Sequence, residues 1–171
     1  MRVIVPSRQA DLRRAKLLPW QDLRGRNVIL DGYNVLITVE SLLAGQPVYI
    51  CDDGFLRDVQ GIFRSYKQSE FTDPALIRIF DLLAEAGVAR VEVLIDQQMS
   101  MSGGLAEKLR HMMAGRGLPG DARTARNVDH ELKITQATVA TSDGNVIDAA
   151  TSVVDLPARA ASDLGIIPLH L

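Results

Sequence analysis

Three apolar segments of this chain each lead into an aspartate, and this pattern restricts the fold more than any other feature of the sequence. One segment ends at Asp31, a second ends at Asp96, and a third is followed directly by Asp143. Short apolar runs that stop at turn residues are typical of strands. In open α/β sheets ligands bind outside the carboxyl ends of the strands, so we expect these acids to meet in one crevice.

Apolar residues at helical spacing separate these strands, which predicts alternating strands and helices. The predicted strands are 27–31, 91–96, 122–124, one ending near 142, 152–156 and 166–169. The predicted helices are 36–43, 55–66 with Asp53 as its N-cap, 72 to a stop at 87, 102–113 with Ser102 as its cap, one from 129, one from 143, and 157–165. Such alternation predicts an α/β fold with a mostly parallel central sheet.

Size and composition indicate a globular protein of one domain. The chain has 171 residues, of which 47% are hydrophobic and 23% charged, and this length can bury a sizeable core without disulfides. A single cysteine, Cys51, excludes an intramolecular disulfide and favours a reducing cytoplasm. No signal peptide or membrane-length apolar run is present. The sequence is compatible with a homodimer but does not establish one.

The acidic residues are the main chemical signal. Asp129 lies where a helix is predicted to begin and is the fourth candidate beside the three strand ends. Carboxylates that crowd together need a cation, and hard oxygen ligands suit Mg²⁺ or Mn²⁺. Each acid alone is explained equally well as a turn or capping residue. Glu40 is either a fifth member or part of a solvated helix face, and Asp148 is ranked as structural.

The order and type of these motifs resemble the PIN-like nuclease superfamily, specifically its NYN branch. The resemblance covers about residues 27–156 and is carried by the run 30–35, Asp96, Asp129 and the run 141–143. It implies a three-layer sandwich of the PIN-like, Rossmannoid kind. It also implies that four carboxylates hold Mg²⁺ or Mn²⁺ and activate water for RNA cleavage: Asp31, Asp96, Asp129 and Asp143.

The same resemblance suggests roles for two more residues, and the chain departs from the family pattern in two segments. Asn34 is expected to position the metal shell or a phosphate, and Ser142 matches the small polar residue before the last acid. Residues 25–171 then form the nuclease domain, with a helical insertion around 48–87. Residues 1–24 form a basic, partly loose segment that the family core does not explain.

The chain has 19 basic and 21 acidic residues and a net charge of −2, so its overall charge does not favour nucleic acid. Any positive charge that binds RNA must therefore come from local patches. Arg123 and Arg126 are the candidate RNA contacts, and the helix start at Ser102 is a candidate phosphate site. The two arginines belong to a predicted basic cluster that consists of Arg110, Arg116, Arg123 and Arg126, with Lys108 and His111 nearby. Alternatively, the arginines lie on solvated faces and the helix start at Ser102 is a simple capped turn. A surface ion pair with Asp53 or Asp58 is favoured over a phosphate contact for Arg57.

Three functions follow from these patterns. A metal-dependent endoribonuclease is favoured, with RNA as the partner. A small-molecule phosphohydrolase is disfavoured, because its aspartyl nucleophile requires a second acid where Tyr33 stands. A non-catalytic RNA-binding or adaptor domain is the third reading, favoured by the modest net charge and few aromatic residues.

Overall fold

A computed structural model describes residues 5–58 and 65–171 and contains two β-sheets with helices packed around them. The strands are β1 (Asn27–Asp31), β2 (Val48–Ile50), β3 (Leu56–Asp58), β4 (Arg90–Asp96), β5 (Gly120–Ala125), β6 (Thr138–Ala140), β7 (Val153–Val154) and β8 (Leu169–His170). The helices are α1 (Ser7–Lys16), α2 (Gly32–Leu43), α3 (Thr72–Ala86), α4 (Ser102–Gly115), α5 (Val128–Ile134), α6 (Gly144–Ala149) and α7 (Leu156–Asp163), and a short 3₁₀ helix spans Trp20–Leu23.

The central sheet has five parallel strands in the order β5-β4-β1-β6-β7. Side chains alternate between its two faces, as the period of a strand requires. Val28 and Leu30 pack with α2, α3, α4 and α7, whereas Ile29 packs with α5 and α6. The α/β fold with a mostly parallel sheet between two helical layers is therefore confirmed.

The turn from β1 into α2 depends on a glycine. A Cβ atom on Gly32 would lie 2.6 Å from the Leu94 carbonyl oxygen and would also meet the Ile95 side chain on the neighbouring strand. Because Gly32 permits this close approach, α2 begins directly after β1, four residues earlier than the predicted start at Leu36. The strand thus ends at Asp31 with no intervening loop.

Two predicted elements near the second sheet are wrong. The predicted helix over 55–66 begins as strand β3, which pairs antiparallel with β2; residues 59–64 lie outside the described part of the chain. The predicted sixth strand of the central sheet is β8, which pairs with β2 instead. Asp53 is not an N-cap but a fully buried residue between β2 and β3. The helix prediction is therefore wrong for residues 56–58, whereas for residues 59–64 it stays a prediction.

Residues 7–16 are ordered as helix α1, so the expectation of a partly loose segment is wrong for this stretch. The helix packs against α6, and its Arg13 side chain is buried. The proposed boundaries at residue 24 and around 48–87 stay predictions. Within residues 5–58 and 65–171, no helix combines the length and apolarity needed to span a bilayer.

Candidate functional site

The candidate site lies at the carboxyl edge of the central sheet, where β1 is flanked by β4 and β6. The chain leaves β1 on one side to form β4 and returns on the other side to form β6, which is the topological position at which α/β sheets bind ligands. A cavity of about 380 Å³ opens here. It is lined by Asp31, Tyr33, Leu94, Asp96, Gln98, Arg126, Asn127, Val128 and Asp129.

Asp31 is the most perturbed acid of this edge. Its side chain is buried, and loss of solvation raises the pKa of its carboxyl to about 7. Thr141 opposes this effect by donating a hydrogen bond from its hydroxyl to Asp31 Oδ2 at 2.9 Å. The negative charges of the three other candidate acids raise the pKa further. The three other sequence-predicted acids therefore all lie within electrostatic reach of Asp31.

The three other acids are less buried and two of them bind backbone amides. The pKa of Asp129 is raised by burial and by the charges of Asp143 and Asp96, and is lowered by Lys133. Asp143 caps α6 by accepting from the amides of residues 145 and 146 at 2.8 and 3.2 Å, as the capping alternative predicted. Asp96 accepts from the Gln98 amide at 2.9 Å.

The donor chemistry of this edge fits a hard divalent cation. Asp31, Asp96 and Asp143 form no ion pair with any lysine or arginine of the described ranges, and carboxylate oxygens are the ligands that Mg²⁺ and Mn²⁺ prefer. As they stand, however, no three acidic, histidine or cysteine side chains of residues 5–58 and 65–171 are close enough to share an ion.

Asn34 connects the first helix of the site to the last acid. Its Oδ1 atom accepts hydrogen bonds from the Ser142 amide at 2.9 Å and the Ser142 hydroxyl at 3.2 Å. The side chain therefore holds the loop between β6 and α6 against the start of α2. Asn34 and Ser142, which the sequence predicts to contact substrate, are therefore hydrogen-bonded to each other.

The other predicted contacts lie in different environments. Arg126 lines the cavity and is exposed. Arg123 forms ion pairs with Glu92, at 2.8 Å, and with Glu131, so acidic side chains already neutralise it. Ser102 does not cap α4 with its side chain but donates its hydroxyl to the Gln97 carbonyl at 3.3 Å. The predicted basic cluster is thus largely paired, since its Lys108 and Arg116 bind acids of α3.

Glu40 does not reach the cavity. It accepts hydrogen bonds from the hydroxyls of Tyr66 and Thr72, and burial raises its pKa. The Tyr66 ring packs edge-on against Tyr33, with 5.4 Å between ring centroids. Tyr33, by contrast, lines the cavity, and both burial and the charge of Asp96 raise the pKa of its phenol. The sequence identified Tyr33 only as a position that lacks an acid.

A buried ionic cluster contacts the loop between β6 and α6, and the sequence predicted only one of its pairs. We call Arg13, Asp53 and Arg57 the arginine brace. Arg57 donates to both carboxylate oxygens of Asp53 at 2.7 and 2.8 Å, and Arg13 donates to Asp53 Oδ2 at 3.0 Å. Asp53 is one of the two partners predicted for Arg57, but the predicted surface location is wrong, because the pair is buried. Arg57 Nε also donates to the Ser142 carbonyl at 2.9 Å, next to Asp143.

Comparison with known proteins places the chain in a family. It is 35% identical over 155 residues to uncharacterized protein MJ0935 of Methanocaldococcus jannaschii, an alignment that covers 90% of this chain and 74% of the relative. No solved structure matches it significantly. The family model described as Domain of unknown function (DUF5616) matches residues 20–159, which include the three acids that line the cavity and also Asp143, which does not line it. The chain therefore belongs to the DUF5616 family.

Proposed function

We propose that this protein is a divalent-metal-dependent endoribonuclease of the PIN-like, NYN type. The observation that carries the proposal is that Asp31, Asp96 and Asp129 line one cavity with Asp143 nearby, and that burial and then the charges of the three other acids raise the pKa of Asp31. Such repulsion favours the binding of a divalent cation, because the cation offsets it. Mg²⁺ or Mn²⁺ is the proposed cofactor, held by these four acids.

The residues of the cavity have distinct roles in this mechanism. A divalent ion bound by these acids would polarise a phosphate and lower the pKa of a bound water molecule. Thr141 fixes the orientation of Asp31 through its hydrogen bond, so one carboxylate oxygen is held in place. Asp129 is more exposed and can accept a proton from the attacking water. Arg126 at the cavity wall binds a phosphate of the RNA strand.

A non-catalytic RNA-binding or adaptor domain is the second candidate. Two observations favour it: no three acids of the described residues are close enough to share an ion, and two of the four arginines in the predicted basic cluster, Arg116 and Arg123, are paired with acids. A small-molecule phosphohydrolase gains no support from the site, since Tyr33 is buried and occupies the position of its second acid. We also propose a cytoplasmic location, consistent with the single buried thiol of Cys51.

RNA cleavage by the purified protein tests the proposal. With Mn²⁺ or Mg²⁺, the wild type is expected to cut single-stranded or structured RNA, and Asp31→Asn to abolish cutting while remaining folded. The control is Asp22→Asn, which changes an exposed aspartate outside the cavity, and we expect this variant to cut RNA at the wild-type rate. RNA affinity without cleavage in both metals would favour the adaptor. Metal-dependent release of phosphate from small esters, without RNA cleavage, would favour the phosphohydrolase.

A further inference from the structure

We propose that Gln98 recognises the base of the RNA nucleotide bound in the cavity and that Met101 packs against the same base. Both residues belong to the segment 97–101, which connects β4 to α4 and which we call the β4–α4 loop. The inference rests on the proposed function, because it takes RNA to be the substrate. It deepens that function by assigning the residues that give it base specificity.

Gln98 presents an unused amide group to the cavity. Its side chain lines the cavity, is exposed, and forms no hydrogen bond with any other residue of the described ranges. A side-chain amide carries N–H donors and a carbonyl acceptor on one planar group. Asn127 also lines the cavity, but its Oδ1 atom already accepts from the His130 amide at 3.1 Å. Gln98 therefore keeps both a donor and an acceptor for a ligand.

The backbone of Gln98 is held beside the acids of the cavity. Its amide donates to Asp96 Oδ1 at 2.9 Å, and the Gln97 amide donates to the Ala125 carbonyl on β5 at 3.0 Å. These two bonds anchor the start of the β4–α4 loop at the end of β4. Because Asp31, Asp96 and Gln98 line one cavity, a phosphate near the acids leaves a base of the same strand beside Gln98.

The chemistry of an amide favours a base edge over a phosphate. A phosphate offers acceptors only, and the exposed guanidinium of Arg126 on the cavity wall has only donors to match it. A base edge combines donors and acceptors, which an amide group matches. In RNA this edge is accessible when the nucleotide is unpaired. Arg126 and Gln98 are therefore suited to different parts of one unpaired nucleotide.

Met101 supplies an apolar surface on the same loop. It is the only residue other than glycine with a positive φ, 63°, in residues 5–58 and 65–171. A left-handed backbone is unfavourable for a residue with a Cβ atom, and such strain clusters at functional sites. The side chain is 76% exposed, so burial in the core does not offset this cost. A thioether packs favourably against flat aromatic rings, which a base provides.

Adjacent glutamines provide a matched test. Gln98→Ala removes the amide that lines the cavity, whereas Gln97→Ala removes an exposed amide that does not line it. Both changes are made in Asp31→Asn, the parent protein for this experiment, which the proposed function expects to bind RNA without cutting it. Fluorescence anisotropy in Mg²⁺ gives the Kd for four unstructured RNAs of equal length, each of which lacks one type of base.

The parent is expected to bind one of the four RNAs at least about fivefold more weakly than the others, the lower range for loss of one amide–base pair. In Gln98→Ala we expect the four Kd values to agree within about twofold, because the discriminating contact is gone. Gln97→Ala should keep the preference of the parent. Both glutamines are exposed, so neither change disturbs the core.

Met101→Gly in the same parent tests the second contact, because its two expected effects have opposite signs. Glycine adopts a positive φ without strain, so the urea midpoint of unfolding should rise. Loss of the thioether should nevertheless weaken binding of the RNAs about two- to tenfold. A higher midpoint with unchanged RNA affinity overturns the assignment of Met101, since a merely structural role predicts that result.

The remaining outcomes separate the inference from the function on which it rests. If Gln98→Ala keeps the base preference of the parent, the inference is overturned and the proposed function stands. Equal affinity of the parent for all four RNAs also overturns it, because no base is then recognised. If the parent binds none of the RNAs, RNA fails as the proposed substrate and the inference fails with it.

Discussion

Replacing Asp31 by asparagine is expected to stabilise the metal-free protein at neutral and alkaline pH. The carboxyl is buried, and its pKa rises from the ordinary value of 3.8 to about 7. Ionising it therefore costs more in the folded protein than in the unfolded chain. Asn keeps an oxygen that can accept the Thr141 hydrogen bond but carries no charge to bury.

The magnitude follows from linkage between protonation and folding. Each pKa unit corresponds to about 1.36 kcal/mol, so a rise of this size costs about 4 kcal/mol once the carboxyl is ionised. Because the folded pKa is raised, the stabilising effect of protonation is fully present below about pH 4. It is lost as the pH rises through about 7. The unfolding free energy of the wild type thus falls across this window relative to that of Asp31→Asn.

Urea unfolding of both proteins from pH 4 to pH 8, with a chelator present, measures this difference. The gap between variant and wild type should widen towards about 4 kcal/mol at the alkaline end. Asp22→Asn, at an exposed position, is the control and should show no such widening. A gap that stays constant over the whole range would refute the raised pKa of Asp31, and with it the electrostatic basis of the site.

Three further perturbations test other parts of the structure. Asp53→Asn leaves two buried guanidinium groups without their carboxylate and should lower the unfolding free energy by about 3–5 kcal/mol in urea titrations; a loss below about 1 kcal/mol would contradict the buried pairing. Gly32→Ala places a Cβ atom 2.6 Å from the Leu94 carbonyl oxygen and should cost about 1–3 kcal/mol in the same assay, whereas an unchanged midpoint would refute the close approach. Arg126→Ala should weaken RNA binding and reduce the dependence of log Kd on log salt by about one, whereas Arg123→Ala, already neutralised by acids, should change neither; equal effects would argue against Arg126 as the phosphate contact.

The sequence by itself determined the parallel sheet and the edge at which the acids meet. Strand periodicity and helix stops are local signals, so the strands that end at Asp31 and Asp96 could be identified from neighbouring residues. The parallel order then places their carboxyl ends together. Local signals failed at residues 56–58, where helical spacing predicted a helix but the chain pairs as strand β3 with the neighbouring strand β2.

Only the tertiary structure decided which charges are neutralised and which remain in the cavity. Arg13 meets Asp148, 135 residues away, and Arg57 meets the Ser142 carbonyl across 85 residues. Local sequence patterns cannot predict these contacts, because the residues are far apart in the sequence and become neighbours only when the sheet forms. The same holds for Arg123, whose partners on β4 and α5 become neighbours only through packing. Burial, a property of the whole fold, is what raises the pKa of Asp31 and selects it from the other acids.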